Sequence, residues 1–472
     1  MTPDEFRVFG HALVDWIAEY RNNLPKLRVM SDRKPGEIRA LLPTQPPSEP
    51  EPMESLLADL RRVVLPGMTH WSHPSFFAYF PSNSSLPSVL ADLVASGLGA
   101  QSMSWQTSPA ATELEEVMMD WLRQMVGLPE TFTGVLQDTA STSTLVALIC
   151  ARERTSRLAQ MEQGLQASHP AMTVYASEQA HSSVEKAVRL AGFGLSNLRL
   201  IETDSEFALV PQKLEQAISA DLDVGKLPSA VVATVGTTAT VAVDPVEAIA
   251  QIAARHRLWL HVDAAMAGTA MLLPECRRLW QGVEAADSLV FNPHKWMGAT
   301  FDCSTYFVRD PGHLVQVMST HPSYLKTGQD AQVKNFRDWG IPLGRRFRAL
   351  KLWFLIREQG VRALQARIRR DLSNARWLAE QVDASPDWER VAPVLLQTVS
   401  LRHRPAGMQD DQLNPHNLAL AERVNRSGAA YLTTALVGGR QILRLSIGSE
   451  TTEREDVQAV WSLLNRQAQV LL

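Results

Sequence analysis

One lysine stands in an otherwise apolar stretch of the sequence. The run from Ser288 to Phe301 contains a single cationic side chain, Lys295, and no acidic residue. Burying an ammonium group costs free energy unless an opposite charge is near, so a lysine in such a setting tends to lose its proton. A neutral lysine amine is a nucleophile that forms Schiff bases with aldehydes. The alternative is a lysine that extends its ammonium group from a strand end into water, and this stretch alone does not separate the two.

Other polar residues follow predicted strands. The segment 138–144 is rich in small hydroxyl residues and opens a helix predicted over Leu145–Arg154. Backbone N–H groups at a helix N-terminus can bind a phosphate, although plain capping is the commoner reason for hydroxyl residues there. His181 follows the predicted strand Ala171–Ala176, where its ring can stack on a planar group, move protons or serve as a structural cap.

An acidic residue, Asp263, follows the strongly apolar strand Leu258–Val262, and the turn Gly236–Thr238 follows another strand. A carboxylate in apolar surroundings needs a cationic partner, such as a protonated ring nitrogen; the alternative is an aspartate that caps a turn. Lys295 lies at the end of the next predicted strand. A phosphate cradle, a stackable histidine, a ring-nitrogen partner and a Schiff-base lysine are together what pyridoxal phosphate requires.

A parallel sheet would bring these strand ends together. From about Pro81 to Gly340 the sequence alternates short apolar strands with helical stretches, which predicts a doubly wound α/β domain with a mostly parallel sheet. In such sheets, ligands bind beyond the carboxyl ends of the strands. The predicted buried strands are Ala171–Ala176, Ala230–Val235, Leu258–Val262 and Ser288–Phe291.

The two ends of the chain have other patterns. Thr2 and Glu5 predict a capping box for an N-terminal helix with an aromatic stripe, and the proline-rich residues 42–52 predict an extended linker. In the last part of the chain we expect a long helix, then a strand over Gln441–Ile447 and a helix from Glu453 to about Arg466. These elements predict a smaller α+β domain.

Composition excludes several classes of function. The net charge is −4 and no basic block stands out, so the sequence does not favour nucleic acid as a partner. Three widely spaced cysteines fit reduced thiols better than a disulfide framework or a metal site. The first residues lack the pattern of a signal peptide, and no apolar run reaches the length of a membrane helix. We therefore expect a cytoplasmic protein that needs no metal and no membrane.

Several motifs resemble those of the group II pyridoxal-phosphate decarboxylases, most closely the aromatic-L-amino-acid decarboxylase branch. They are Asn292-Pro-His-Lys-Trp296, His261-Val-Asp-Ala-Ala265, His181-Ser-Ser-Val184 and Ile341-Pro-Leu-Gly-Arg-Arg-Phe-Arg348, within a similarity that spans nearly the whole chain. The resemblance implies a type I, aspartate-aminotransferase-like fold with a mostly parallel seven-stranded sheet in the large domain. It also implies a homodimer with active sites at the interface.

The resemblance further implies three regions. Residues 1–80 would form an N-terminal helical segment that packs on the partner subunit, 81–344 a large domain that binds pyridoxal 5'-phosphate, and 345–472 a small C-terminal domain.

Site residues can be carried over from the family one by one. Lys295 would be the Schiff-base lysine, with His294 beside it and His181 stacked on the cofactor ring. Asp263 would pair with the ring nitrogen, Ala265 would lie under the ring, and Thr238 would contact its aldehyde side. The phosphate would be held by Ala140, Ser141 and Asn292. The substrate pocket would be lined by Trp71, Tyr79, Phe80, Pro81, Gln101 and Met103.

One substitution affects the expected reaction. Ordinary members of the family protonate Cα with a tyrosine on a mobile loop, and we place that position at Phe336, in a loop expected over 319–340. Members with phenylalanine there can be aromatic aldehyde synthases, which decarboxylate and then oxidise with O₂ to aldehyde, ammonia and hydrogen peroxide. The leading hypothesis remains decarboxylation of aromatic L-amino acids to amines, with His181, His294 or Tyr324 as the proton donor. A non-catalytic paralogue is a minor alternative.

The pocket also departs from the family pattern. Gln101 and Met103 stand where an aliphatic residue and a phenylalanine are usual. Met103 can still contact an aromatic ring. Gln101 can hydrogen-bond a ring hydroxyl, which would favour Dopa or tyrosine, or it can face elsewhere.

Overall fold

The protein is described by a computed structural model that covers residues 1–165, 170–320 and 332–472. The chain divides into two compact units. The first comprises residues 1–81, 377–389 and 401–472, and the second comprises 82–376 and 390–400. The division into 1–80, 81–344 and 345–472 stays a prediction, since the compact units break the chain at other places.

The α-helices follow the predicted alternation with strands. In chain order they are α1 Pro3–Asn23, α2 Glu37–Ala40, α3 Met53–Asp59, α4 Leu86–Gly97, α5 Pro109–Val126, α6 Ala140–Ser156, α7 Ala159–Gln163, α8 Ser182–Leu190, α9 Pro211–Asp223, α10 Val246–His256, α11 Pro311–Met318, α12 Arg348–Asp383, α13 Asp410–Ser427 and α14 Arg454–Gln469. Searched over the described residues, none of these helices is long and apolar enough to cross a membrane.

Within the described residues of the second unit, seven strands form one sheet. They are β1 Thr133–Gln137, β2 Met172–Ser177, β3 Leu198–Ile201, β4 Leu227–Thr234, β5 Trp259–Asp263, β6 Ser288–Phe291 and β7 Ser304–Val308, in the order β1-β7-β6-β5-β4-β2-β3. Strand β7 is antiparallel to its neighbours β1 and β6, and the other pairs are parallel. The predicted mostly parallel seven-stranded sheet is confirmed.

The central strands are buried because helices cover both faces of a parallel sheet. Every residue of β2, β5 and β6 is buried, including the polar ones. Such strands read as continuous apolar runs in the sequence, which is why they could be predicted. A fully buried polar residue at the end of one of them therefore needs a partner there.

The remaining strands form a second, four-stranded sheet in the order β10-β11-β9-β8, counted over the described residues. These strands are β8 Trp388–Arg390, β9 Thr398–His403, β10 Thr433–Val437 and β11 Arg440–Ser446. Strand β11 and helix α14 lie within one to three residues of the predicted strand and final helix. The smaller C-terminal α+β fold is thus confirmed.

Helix α1 begins at the predicted cap. The Thr2 side chain accepts a hydrogen bond from the Glu5 backbone, and the Glu5 carboxylate accepts one from the Thr2 N–H at 2.6 Å. No residue of α1 is buried against the described part of the chain, and Phe6 is 58% exposed. Packing of this helix on a partner subunit stays a prediction.

Candidate active site

The carboxyl ends of β4, β5 and β6 lie side by side at one edge of the large sheet. Thr234 pairs with Asp263 in the register of β4 and β5, and Asp263 pairs with Val290 of β6. The chain leaves β6 at Asn292, whose N–H donates to the Ala265 carbonyl at 2.9 Å. Three of the predicted site residues, Asp263, Ala265 and Asn292, are thereby brought together at the ends of β5 and β6.

Asp263 is the last residue of β5 and is only 4% exposed. One carboxylate oxygen accepts a hydrogen bond from the Ala265 N–H at 3.0 Å. Among the described residues no lysine, arginine or histidine forms an ion pair with Asp263. A buried carboxylate is costly without a cation, so the site has the chemistry to take a protonated ring nitrogen.

His181 stands before the first turn of α8 and caps it. Its Nδ1 accepts a hydrogen bond from the Ser183 N–H at 3.1 Å. The neutral ring therefore carries its proton on Nε2. The side chain is exposed in the single chain, yet the atoms around it desolvate the ring and lower its pKa. The Asp263 carboxylate opposes this shift and Lys295 adds to it, so the pKa of His181 responds to both predicted partners.

Lys295 lies in a single π-helical turn, Pro293–Met297, directly after β6. Its own φ of −96° and ψ of −106° depart from helical values. The Asn83 side chain donates to the Lys295 carbonyl at 3.0 Å, and the Lys295 N–H donates to the Asn292 carbonyl at 3.0 Å. The backbone that carries the predicted nucleophile is thus fixed from both sides.

His294 precedes the lysine and is buried. Its Nδ1 accepts a hydrogen bond from the Cys303 N–H at 3.0 Å, and its ring meets Phe301 edge-on. Burial, and after it the nearby Lys295, lower the pKa of His294 to about 4. The His294 ring is therefore neutral at neutral pH.

The start of α6 has the features of an anion site. Ala140 is buried and Ser141 is exposed at its first turn, which contains no acidic residue. The residue before the helix, Thr139, makes no side-chain cap. Asn292 adds a buried side-chain oxygen that has no hydrogen-bond partner among the described residues. A phosphate only accepts hydrogen bonds, so the open N–H groups of this turn and the Asn292 side-chain N–H could donate to it, while the Asn292 oxygen could not bind it.

Thr238 lies in the turn after β4, and its side chain is exposed. The turn begins at Gly236, whose backbone φ is +88°. Residues other than glycine rarely adopt this value. A Cβ on Gly236 would lie 2.8 Å from the Ala267 Cβ. The adjacent Thr237 is buried and accepts from the Ala242 N–H at 3.0 Å, which leaves Thr238 as the hydroxyl that faces outward.

The predicted aromatic pocket residues Trp71, Tyr79, Phe80 and Pro81 belong to the first unit. The rings of Trp71 and Tyr79 stack with their centroids 5.5 Å apart. The guanidinium of Arg444 lies 4.4 Å from the centroid of the Phe80 ring and donates to the Tyr79 carbonyl. Arg444 is buried, and burial lowers its pKa to about 9. Arg444 was not predicted, because a single arginine in a strand gives no sequence signal of its own.

Gln101 and Met103 belong to the second unit. The Gln101 side-chain oxygen accepts a hydrogen bond from the Arg345 N–H at 2.6 Å, so this oxygen is already bound to the backbone. The Met103 carbonyl accepts from the Arg337 N–H at 2.9 Å, and its side chain is half-buried. A substrate contact by either residue stays a prediction.

The prediction for Phe336 was wrong in its structural part. Its ring is 1% exposed and belongs to the core beneath the large sheet. Trp339 meets it edge-on at 5.7 Å, and the Arg345 guanidinium lies over it at 5.0 Å. The Phe336 ring is therefore buried in the core and does not lie on the surface of a polar loop, and its effect on the reaction stays a prediction. The other candidate donor, Tyr324, lies outside the described residues, as does half of the predicted loop.

Two further residues that the sequence analysis missed lie on α12. Asp371 is fully buried and accepts a hydrogen bond from the Trp296 indole. Arg367 donates to the carbonyls of Trp296 and Met297, at 3.1 Å and 2.5 Å. Both act on the turn that carries Lys295. They are about 70 residues away along the chain, and no spacing rule connects them to it.

Comparison with known proteins shows the family of this chain. Residues 35–404 match the model of the pyridoxal-dependent decarboxylase conserved domain. The chain is 40% identical to a phenylacetaldehyde synthase of Arabidopsis thaliana, over 100% of this chain and 97% of that protein. It is also 40% identical to tyrosine decarboxylase 4 of Petroselinum crispum, over 100% and 95%. The crystal structure of the Oryza sativa enzyme TDC with PLP and tryptamine superposes with a TM-score of 0.96, at 38% identity, covering 100% of this chain and 99% of that one. The chain therefore belongs to the pyridoxal-dependent decarboxylase family, whose cofactor is pyridoxal 5'-phosphate, and within it to the group of aromatic amino acid decarboxylases and aldehyde synthases.

Proposed function

We propose that this enzyme removes the α-carboxyl group of aromatic L-amino acids as CO₂ and releases the corresponding amines. The observation that carries the proposal is the buried carboxylate of Asp263, which has no cation in ion-pair distance among the described residues, at the same sheet edge as Lys295. One similar protein is named tyrosine decarboxylase, and a similar structure contains tryptamine. Both names support an aromatic substrate.

The residues at the sheet edge fit pyridoxal 5'-phosphate. Asp263 would hold the proton on the ring nitrogen, because an ionised buried carboxylate favours a cation beside it. Ala265 would lie under the ring, since only a small side chain leaves room there, and His181 would stack on the opposite face. When bound, the cofactor supplies an electron-accepting ring for the bond that breaks on CO₂ loss.

The phosphate would be held at the start of α6 and by one side chain after β6. Ala140 and Ser141 would donate backbone N–H groups, and the Asn292 side-chain N–H would donate a further hydrogen bond to the phosphate. Thr238 would offer its exposed hydroxyl to the aldehyde side of the ring. Lys295 would hold the cofactor covalently through its amine.

The group that protonates Cα must carry a proton that it can donate. His181 carries its proton on Nε2 and keeps Nδ1 engaged with Ser183, so Nε2 is the atom that can donate. His294 is buried and neutral, and its Nδ1 is likewise engaged. Phe336 has neither a proton nor access. The donor is therefore His181, His294 or Tyr324.

Trp71 and Tyr79 would contact the substrate side chain. Both rings are largely exposed in the single chain and stack on each other, which offers a flat apolar face. We further propose that the active enzyme is a homodimer in the cytoplasm, in line with the uncovered apolar side of α1.

The proposal is tested by incubating the enzyme with L-Dopa, tyrosine, phenylalanine, tryptophan and 5-hydroxytryptophan and measuring CO₂ and amine. We expect equal amounts of both from at least one of them, and none from Lys295→Arg, which keeps the charge but not the amine nucleophile. Glutamate serves as the non-aromatic control. Release of CO₂ from glutamate but from none of the aromatic substrates would refute the substrate assignment.

The similar protein named phenylacetaldehyde synthase keeps the aldehyde as a second candidate product. Oxidative release would give hydrogen peroxide together with CO₂ and would need oxygen. The missing hydroxyl at Phe336 is the sequence feature behind this candidate, and its effect on the product stays a prediction.

A further inference from the structure

A pocket of about 320 Å³ opens between β9, β11 and the start of α13, inside the first unit. Its lining combines basic, acidic and amide side chains, chiefly Arg402, Arg404, Arg440, Glu389, Asp410 and Asn414. None of these residues takes part in the proposed active site. The pocket therefore calls for an explanation of its own.

Arg402 forms the inner wall of the pocket and is only 5% exposed. One terminal nitrogen donates to the Asn414 side-chain oxygen at 3.2 Å. Its Nε has no hydrogen-bond partner among the described residues, and no carboxylate within that part of the chain forms an ion pair with it. A buried guanidinium is costly unless an anion and acceptors meet it. Asn414 is neutral, so the charge of Arg402 is not balanced by direct contact.

The charges at the rim do not supply that balance. Arg440 is held by Glu389 at 2.9 Å, and Arg404 forms no ion pair with the described residues. Three guanidinium groups thus face two carboxylates, Glu389 and Asp410, which leaves one positive charge in excess. Helix α13 begins at Asp410, and its N-terminus adds a partial positive charge at the same rim.

We propose that this pocket binds a small oxyanion, either a carboxylate or a phosphate. Arg402 is the buried donor, and Arg404 and Arg440 close on the ligand from the rim. The planar guanidinium group presents paired N–H donors that match the paired oxygens of both anions, which is why arginine is preferred for this task. The volume of the pocket admits an anion of several heavy atoms but not a macromolecule.

The test is calorimetric titration of the holoenzyme at low ionic strength, with inorganic phosphate in one series and succinate in another. The holoenzyme is used because pyridoxal phosphate then fills the proposed phosphate site of the active centre. We expect one saturable site per chain for at least one of the two anions. Phosphate alone, succinate alone or both then identify a phosphate-type, carboxylate-type or general oxyanion site.

Substitutions locate the site. Arg404→Gln combined with Arg440→Gln removes two rim charges from side chains that are at least partly exposed. We expect it to weaken binding at least about tenfold, because two charged donors to the anion are lost. Arg423→Gln is the matched control, since Arg423 is an exposed arginine on α13 that contacts Gln467 instead. Unchanged circular dichroism checks that each variant is folded.

Three results would overturn the proposal. They are the lack of saturable binding by both anions, equal affinity of the double variant and the wild type, and equal loss in the Arg423→Gln control. Arg402→Gln gives a sharper test of the buried donor. If that variant does not fold, the double variant decides.

Discussion

The indole N–H of Trp296 donates a hydrogen bond to the Asp371 carboxylate at 2.8 Å, one residue beyond Lys295. Both side chains are fully buried. The Arg370 guanidinium also donates to Asp371, at 3.2 Å. The turn that carries the lysine is thus tied to helix α12 by a polar contact inside the protein, where such contacts fix geometry best.

This contact predicts different effects for two substitutions of Asp371. Asp371→Asn keeps an oxygen acceptor for the indole and should retain most stability at neutral pH. Asp371→Ala leaves the buried indole N–H unsatisfied and should lower the free energy of unfolding by about 1–3 kcal/mol more than Asp371→Asn does. Urea unfolding of both variants at pH 7.5 measures the difference. Equal stability of the two would show that the hydrogen bond does not hold the turn.

Asp371 also predicts a pH effect. Burial raises its pKa to about 7, while Arg370 and the Trp296 N–H oppose the shift. A carboxyl with a raised folded pKa contributes stability that is full below its unfolded pKa of about 4 and is lost as the pH rises through 7. Asp371→Asn lacks this titration. The free energy of unfolding of the wild type minus that of the variant should therefore fall between pH 5 and pH 8, and a difference independent of pH would contradict the raised pKa.

Buried histidines act on stability in the opposite direction. Burial lowers the pKa of His73, His261, His294 and His403 to about 4. Between about pH 6.5 and 4 these histidines are protonated in the unfolded chain but stay neutral in the folded one. Their contribution to the free energy of unfolding is therefore present above pH 6.5 and is lost as the pH falls toward 4. Burial also raises the pKa of Asp244 to about 6, as it raises that of Asp371. Four histidines outweigh these two aspartates, and we expect the denaturant midpoint to fall from pH 7 to pH 5. A midpoint that rises over this range would refute the expectation.

Asp263→Asn separates a functional role from a structural one. We expect it to lower kcat about 10²-fold or more, because a preorganised charge at the reacting group is lost. The apoenzyme should be no less stable than the wild type, since the carboxylate is buried without an ion-pair partner among the described residues. Activity assays and thermal unfolding of the apoenzyme test both halves. Loss of apoenzyme stability with unchanged kcat would make Asp263 a structural residue.

Phe336→Tyr tests whether this position controls the product. A hydroxyl on a ring that is 1% exposed should cost about 1–3 kcal/mol of stability and leave the ratio of amine to hydrogen peroxide unchanged. Phe336→Leu is the control, because it removes ring packing without adding a hydroxyl. A change in the ratio of amine to hydrogen peroxide with Phe336→Tyr but not with Phe336→Leu would show that this residue controls the product.

Much of the sheet edge was predictable because buried strands appear in the sequence as apolar segments. Strands β5 and β6 are continuous apolar runs, so Asp263 and Lys295 stood out as polar residues at their ends. The error at Phe336 arose from its polar neighbours: they indicate a surface loop, while two aromatic rings, Phe336 and Trp339, bury themselves in the core. The sequence pattern of a segment indicates whether the segment as a whole is buried or exposed. It does not indicate that single side chains within the segment are buried in the core.

Contacts between distant segments could not be predicted. Asp371 reaches Trp296 through the position of α12 against the large sheet, and Arg402 gains its neighbours from three separate elements. The spacing of these residues along the chain does not predict such contacts. The same holds for the boundaries of the two compact units, which cross α12 and β9.

The most direct test of the proposed function is the stoichiometry of CO₂, amine, aldehyde and hydrogen peroxide from the preferred aromatic amino acid, in air and without oxygen. We predict that amine equals CO₂ in both atmospheres and that peroxide stays at background. Tyr324→Phe, His181→Gln and Phe336→Tyr measured in parallel show which residue controls the proton. Aldehyde and peroxide equal to CO₂ in air, with turnover lost without oxygen, would contradict the account and make the enzyme an aldehyde synthase.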